Sequence, residues 1–535
     1  MAIAADIQAI MAAFEAARAG DFGRAIPVAE RLLARNPNDP NALQLVGLAR
    51  AHEGRNHEAL VAFRKADAAA PNHPPILNTL GALMKERGDL TAARAYFERA
   101  IAGSARFVEA HYNLAATLAS LGEREAARRS FETALAVNPT SAEALGRFAG
   151  FFEDEGAIEN ARAFAERALA ANPGNFSAHR TLANLDLRAG DHQAVVERLG
   201  ALRGAALGPL NSAILHAMLS RSLEKLGRHA ESFEACATAN ALHHAYFAEI
   251  VAGQQSPRSP ENLARLIDYV ERLDPRDWIE HDALDGPEPV FLLGFPRSGT
   301  TLLDQILSSH PRVTVLEEKE NLADAWMEFI LKPDGLDRLA ALPRAEVDRY
   351  RGAYWARVDA QAPAPDTLVI DKLPLDTALL GLIHRLFPNA RIIFALRDPR
   401  DVVLSCFQQT FAMNAAMYQF LTLETAAAYY DQVMRLGALC RAKFPLAIHE
   451  TRYERVIGDF RTEVSSLLDF LGLDWDDRVA AYYETAKGRV VRTPSAKQVI
   501  EKPYASSIGK WRRYETQLRP VLPVLEPWVE RFGYA

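Results

Sequence analysis

The sequence predicts two folds in one chain: an all-α superhelix of repeated helical hairpins, then an α/β domain with a parallel sheet. Three observations carry this expectation. Glycine recurs every 34 residues through the first half, at Gly20, Gly54, Gly88, Gly122, Gly156 and Gly190. Prolines then cluster at positions 257, 260, 275, 287 and 289, where the repeat has stopped. Beyond them a short apolar run, Pro289 to Gly294, leads through a glycine-containing turn into a helical stretch at residues 302–308. The composition agrees: 535 residues, 49% hydrophobic and 24% charged, describe a folded globular chain and exclude a disordered one.

In each repeat the glycine ends a first helix in a tight turn, where positive φ costs it little. Alanine follows five residues later, at Ala25, Ala59, Ala93, Ala127 and Ala161, and its small side chain lets the second helix approach its neighbour closely. Pro37, Pro71, Pro139 and Pro173 end the second helix, because proline disfavours helix in the residue before it. Apolar pairs fall at helical spacing, as in Leu43 with Val46 and Leu77 with Leu80. Period and pattern together resemble the tetratricopeptide repeat. About seven repeats span residues 1–245. The last is offset, with Gly227 arriving 37 residues after Gly190 and Ser232 in the alanine slot. The resemblance implies a concave face that binds a protein or peptide segment, with a scaffold or oligomerisation surface as the alternative. Residues 246–287 read as the connection, with one helix over Pro260 to Leu273 that has Ser259 as N-cap and Pro260 at its first position.

The second domain, 288–535, carries the chemistry. Its apolar first strand runs into Gly294-Phe-Pro-Arg-Ser-Gly-Thr-Thr301 and a helix. Strand, glycine turn and helix N-terminus together present backbone N–H groups to a phosphate. The frame is close to the P-loop, with Gly294, Gly299 and Thr301 in place. Thr300 stands where the lysine for a nucleoside triphosphate belongs, and Arg297 supplies a cation instead. The loop therefore suits an anion other than a magnesium-bound triphosphate. A second anion motif follows: a strand after Pro388 ends at Arg397, and Ser405 lies two turns into the next helix. An arginine fork with a hydroxyl clamps a dianionic phosphate well.

Phe295-Pro-Arg-Ser-Gly-Thr-Thr-Leu302 resembles the 5′-phosphosulfate loop of sulfotransferases, and Arg397 with Ser405 resembles their 3′-phosphate site. The similarity is to protein-tyrosine sulfotransferases and to bacterial proteins that join tetratricopeptide repeats to such a domain. It implies 3′-phosphoadenosine 5′-phosphosulfate as donor, bound by Arg297, Ser298, Gly299, Thr300, Thr301, Arg397 and Ser405. The segment Ser309 to Glu318 is similar to one that ends in a Glu-Glu pair whose second member is the general base, which implies Glu318. Leu316 replaces the family's glycine before the pair and Glu320 its later basic residue, so Glu317, Glu318 and Glu320 all stay open. Val369-Ile-Asp-Lys372 resembles a strand ending in a catalytic lysine. Tyr453 resembles a residue lining the nucleotide, a core tyrosine being nearly as good a reading. Ser495 and Lys502 resemble parts of a loop that closes over the donor, although one residue is inserted before Lys502.

The implied mechanism follows from charge. Sulfuryl transfer is an in-line displacement that builds negative charge on the leaving oxygen. Arg297, the loop amides, Lys372 and Ser495 stabilise that charge, and the base takes the proton of the acceptor hydroxyl. No metal is required, and no zinc-type ligand spacing occurs. The expected acceptor is a protein or peptide hydroxyl of the tyrosine kind, docked by the repeats. A P-loop kinase or NTPase, and a non-catalytic repeat scaffold, are the alternatives. The aromatics of the helical stretch 321–366 either wall the acceptor or simply pack.

Charge and composition limit the rest. A net charge of -7, from 61 basic and 68 acidic residues, gives no ground for a nucleic-acid partner. No run approaches a membrane-spanning helix, and the N-terminus lacks the basic start of a signal peptide, so the expected compartment is the cytoplasm. Cys236, Cys406 and Cys440 are too few and too scattered for a disulfide framework and are expected as buried thiols.

Overall fold

The computed structural model describes residues 2–18, 20–53, 55–278, 286–361, 363–364, 366–486 and 507–535. They form two compact units, Met1–Glu249 and Ile250–Ala535. None of the described helices is long and apolar enough to cross a membrane.

The first unit is helical throughout, from Ala2–Arg18 paired with Phe22–Arg35 to Pro209–Lys225 followed by His229–Ala252. The turns are made as the sequence requires: Gly20, Gly88, Gly122, Gly156, Gly190 and Gly227 all have φ between +72° and +84°. Gly54 lies outside the described residues. The alanine slots at 25, 59, 93, 127 and 161 are fully buried. Ser232, the exception, is equally buried. Its hydroxyl donates to Ser220 O at 2.8 Å while the Ser220 hydroxyl donates to Ser232 O at 2.8 Å. A polar residue is tolerated there because both hydroxyls are satisfied. The helix His229–Ala252 reaches far back along the array, where the Tyr246 hydroxyl donates to Glu86 at 3.0 Å.

The second unit is built on a five-stranded parallel sheet of order β2-β3-β1-β4-β5. The strands are β1 Val290–Gly294, β2 Val313–Glu317, β3 Leu368–Lys372, β4 Arg391–Leu396 and β5 Ala447–Arg452. All pairings are parallel, with Leu292 opposite both Lys372 and Ile393. β1 is central and wholly buried, which is why it reads as an unbroken apolar run. Val290, Leu292, Ile306, Ile370, Ile393 and Leu467 pack one side of it. The chain goes to one side of β1 for β2 and β3 and to the other for β4 and β5. The crevice at the strands' carboxyl ends, where ligands bind in such sheets, opens beside β1.

Residues 250–278 belong to the second unit. Ser259 caps the helix Pro260–Arg272 by accepting from Asn262 N at 3.3 Å. That helix packs on Leu423–Lys443, and the Tyr429 hydroxyl donates to Arg258 O at 2.7 Å. The segment read as a connection is thus part of the site's own framework. Cys236, Cys406 and Cys440 are buried free thiols, and burial pushes Cys440 up to about 12.

Candidate active site

The carboxyl ends of β1, β3 and β4 bring the motif residues together. β1 ends on Gly294, whose φ is +146°. A Cβ there would lie 2.6 Å from Ala395 O on the neighbouring strand, and one at Gly299 would lie 2.9 Å from the Tyr453 ring. The loop is therefore a cradle that only glycine permits at these points. Gly294 N–H donates to Thr377 Oγ1 at 3.0 Å and fixes the strand's end. Arg297 takes φ +69°, a left-handed conformation that costs a non-glycine residue about 1–3 kcal/mol. Gly294→Ala should destabilise the second unit by about 2 kcal/mol or more, read as a lowered denaturation midpoint, because the clash is with backbone that cannot yield.

The two anion motifs touch. Arg297 Nε donates to Ser405 Oγ at 3.0 Å, from the loop to the helix Pro399–Gln408. Arg397 is buried just past β4. Its Nη1 donates to Arg297 O at 3.2 Å and its Nη2 to Ser507 O at 2.6 Å. Its guanidinium lies 4.9 Å from the centre of the Tyr453 ring, and the Tyr453 hydroxyl is 2.9 Å from Ser507 Oγ. Tyr453 thus lies against Arg397 and Ser507 while also packing on the sheet's apolar core. Asp398 is bound to Arg400 at 2.8 Å, and Asp401 is 3.8 Å from Arg397 while accepting from Gly509 N and Trp511 N. Arg397 Nε is buried and has no hydrogen-bond partner among the described residues. Ser298, Thr300 and Thr301 are buried at the start of the helix Thr300–Ser308. The Ser298 hydroxyl donates to Phe295 O at 2.6 Å and so serves the loop itself.

Lys372 ends β3 with its side chain fully covered. Its Nζ lies 3.3 Å from Asp304 and 3.4 Å from both Glu317 and Glu318. Three carboxylates around one buried ammonium compensate it several times over. Asp304 escaped the sequence reading, although an acid inside the apolar run Leu302 to Leu307 was its visible signal. Glu318 has φ +51°, its N–H donates to Lys372 O at 2.8 Å, and its side chain is 45% exposed to a cavity of about 500 Å³. Glu317 does not line that cavity. Glu320 is held elsewhere: it accepts from Arg258 at 2.9 and 3.1 Å and from Trp326 Nε1 at 3.1 Å. Arg258 also binds Asp376, which is buried beneath the cavity wall. Neither Arg258 nor Asp376 was read from the sequence. Of the aromatics in 321–366, Trp326 lines the cavity, whereas Phe329, Tyr350 and Tyr354 are buried packing. Ser495 and Lys502 lie outside the described residues. Among the described residues no group of three His, Cys, Asp or Glu side chains could hold a metal ion.

Behind the site, Asp371 is enclosed in the sheet, accepting from Asn321 at 3.0 Å and from the Tyr354 hydroxyl at 3.2 Å on one oxygen only. Burial pushes its carboxyl up to about 7. The unfolded chain ionises this group near about 4, so between these values the folded state holds a proton that the unfolded state has lost. The stability this group supports is complete below about pH 4 and is lost as pH rises through about 7. Melting temperature should therefore fall between about pH 4 and 7, and Asp371→Asn should flatten that slope. An unchanged slope in the variant would assign the effect to another group.

Parts of the chain are similar to known proteins. Residues 289–477 match the sulfotransferase family, and residues 10–74 and 85–147 match tetratricopeptide repeats. An uncharacterized protein of Aquifex aeolicus is 34% identical over 250 residues, covering 44% of this chain and 32% of that protein. The chain thus spans about a third of that relative's length. Protein-tyrosine sulfotransferase 1 of Danio rerio is 24% identical over 265 residues, covering 46% of this chain and 72% of that enzyme. The solved structure of a tetratricopeptide repeat protein from Parabacteroides merdae overlaps 44% of this chain and 93% of its own, at 16% identity and a TM-score of 0.35. The first half thus carries tetratricopeptide repeats, and in the second both anion motifs lie inside the segment, residues 289–477, that matches the sulfotransferase family.

Proposed function

We propose that the second unit transfers a sulfuryl group from 3′-phosphoadenosine 5′-phosphosulfate to an acceptor hydroxyl, of the tyrosine kind on a protein or peptide. The observation that supports this is the 3.0 Å contact of Arg297 with Ser405, which brings the two anion motifs against each other. The donor supplies the sulfuryl group. On the protein's side, Arg297, Ser298, Gly299, Thr300 and Thr301 hold the 5′ end, in the turn that Gly294 and Gly299 allow the backbone to make. Arg397 and Ser405 hold the 3′-phosphate, the unfilled Arg397 Nε being the donor such a group would satisfy. Tyr453 lines the nucleotide. Lys372 supplies positive charge beside the transferring group, with Ser495 and Lys502 completing the enclosure. Glu318, the one member of the 317/318 pair that faces the cavity, takes the proton from the acceptor hydroxyl. The repeats, residues 1–245, dock the acceptor or a partner that presents it, and 288–535 performs the chemistry.

The test is transfer of radiolabelled sulfate from the donor to tyrosine-containing peptides by the full chain. Labelled peptide that disappears with Lys372→Ala is the expected result. Transfer of phosphate from Mg-ATP with none from the sulfate donor would replace the proposal with the kinase reading.

A further inference from the structure

The cavity that Glu318 faces has a charge pattern of its own. Among the described residues, four ionisable side chains line it: Arg258, Arg297, Glu318 and Glu320. Arg297 belongs to the donor loop and is bonded to Ser405. Arg258 comes from the segment ahead of the helix Pro260–Arg272, and its side chain is only 9% exposed. Its Nε donates to Asp376 and its two Nη groups to Glu320, with Nη2 reaching Asp376 as well. Two carboxylates thus share one guanidinium, which leaves no charge on Arg258 to offer an incoming anion. The side chains of Glu318 and Glu320 are 45% and 49% exposed, so the described acceptor face is negative. The rest of the described lining sets Trp326, Leu373, Pro374, Phe411 and Met417 beside the uncharged polar residues Gln254, Gln255, Ser256 and Asn414. Trp326 is held in place by its own bond to Glu320. Two aromatic faces, Trp326 and Phe411, with uncharged polar groups beside them suit a ring that carries a hydroxyl.

We propose that this cavity selects an aromatic hydroxyl with no carboxylate beside it, and that the Arg258–Glu320–Asp376 cluster sets this selectivity. A carboxylate next to the acceptor hydroxyl would meet Glu320 and Glu318, while Arg258 is neutralised by two carboxylates and Arg297, the other described cation of the lining, is committed to the donor, which is rejection by like charge. Arg258 is a specificity-determining residue that acts by fixing Glu320, not by touching the reacting atoms.

This inference rests on the sulfotransferase reading, and the experiment separates the two. The full chain is given labelled donor and three matched tyrosine peptides flanked by aspartates, by glutamines or by lysines, together with a simple uncharged phenol. Binding of adenosine 3′,5′-bisphosphate is measured alongside. The neutral and basic acceptors should exceed the acidic one in kcat/KM by on the order of tenfold or more. Glu320→Gln should narrow that gap by raising the acidic peptide, while bisphosphate binding stays unchanged. A preference for the acidic peptide, equal use of all three, or a gap that Glu320→Gln leaves intact would overturn the proposal. Bound bisphosphate with no transfer to any neutral aromatic acceptor would also overturn it. Absence of bisphosphate binding would instead remove the sulfotransferase reading, and this inference with it.

Discussion

Arg397→Ala should weaken binding of adenosine 3′,5′-bisphosphate about a hundredfold, a loss of ~2.7 kcal/mol. A buried guanidinium that meets a dianionic phosphate makes charge-assisted bonds of roughly 1.5–3 kcal/mol each. Arg397 already spends Nη1 on Arg297 O and Nη2 on Ser507 O, so the variant also loosens the loop and the backbone at Ser507. The conservative Arg397→Lys separates these effects. Lysine keeps the charge but cannot reproduce the fork, so it should recover only part of the affinity while melting like the parent chain. Calorimetric titration reads both variants. Affinity within threefold of the parent in Arg397→Ala would move the 3′-phosphate away from this arginine.

Glu318→Gln should lower kcat by about 10²–10⁴-fold, the usual contribution of a positioned general base, while bisphosphate affinity changes less than about twofold. Its neighbours should behave differently for reasons visible in their contacts. Glu317 is turned to Lys372 at 3.4 Å and does not line the cavity, so Glu317→Gln disturbs the charge balance around the lysine without removing a base. Glu320 is tied to Arg258 and Trp326, so Glu320→Gln alters acceptor choice more than turnover on a neutral acceptor. Steady-state rates for the three variants on one neutral acceptor order them. Full activity in Glu318→Gln would pass the base role to one of the other two.

The local features of this protein were legible because local chemistry specifies them. A glycine at a left-handed turn and an alanine at a helix crossing leave their mark on single positions, and these recur every 34 residues. Where the rule is broken, at Ser232, the compensation lies in Ser220, which no repeat pattern announces. The central strand β1 was readable because it is buried on both faces. The edge strands β2 and β5 were not, since Val313–Glu317 and Ala447–Arg452 carry the mixed polarity of half-covered strands. Both anion motifs were legible as motifs, and their mutual contact through Arg297 and Ser405 was not, because those residues are 108 positions apart. Arg258 shows the same limit. It lies in a proline-rich stretch that reads as a connection, and only the folded unit places it 62 residues from Glu320 and 118 from Asp376 in sequence yet against both in space. The carboxylates around Lys372 come from the helix Thr300–Ser308 and the end of β2, so neither its enclosure nor the difference between Glu317 and Glu318 could be taken from a Glu-Glu pair alone.

The central claim is that the glycine loop and the Arg397–Ser405 pair form one site for a nucleotide phosphorylated at both ends. A thermal-shift titration of the full chain with adenosine 3′,5′-bisphosphate, beside Mg-ATP and AMP, tests it without knowledge of the acceptor, because a ligand of the folded state alone raises the melting temperature by mass action. The account predicts a saturable rise with the bisphosphate and little with AMP or Mg-ATP. No rise with the bisphosphate, or a larger one with Mg-ATP, would contradict it.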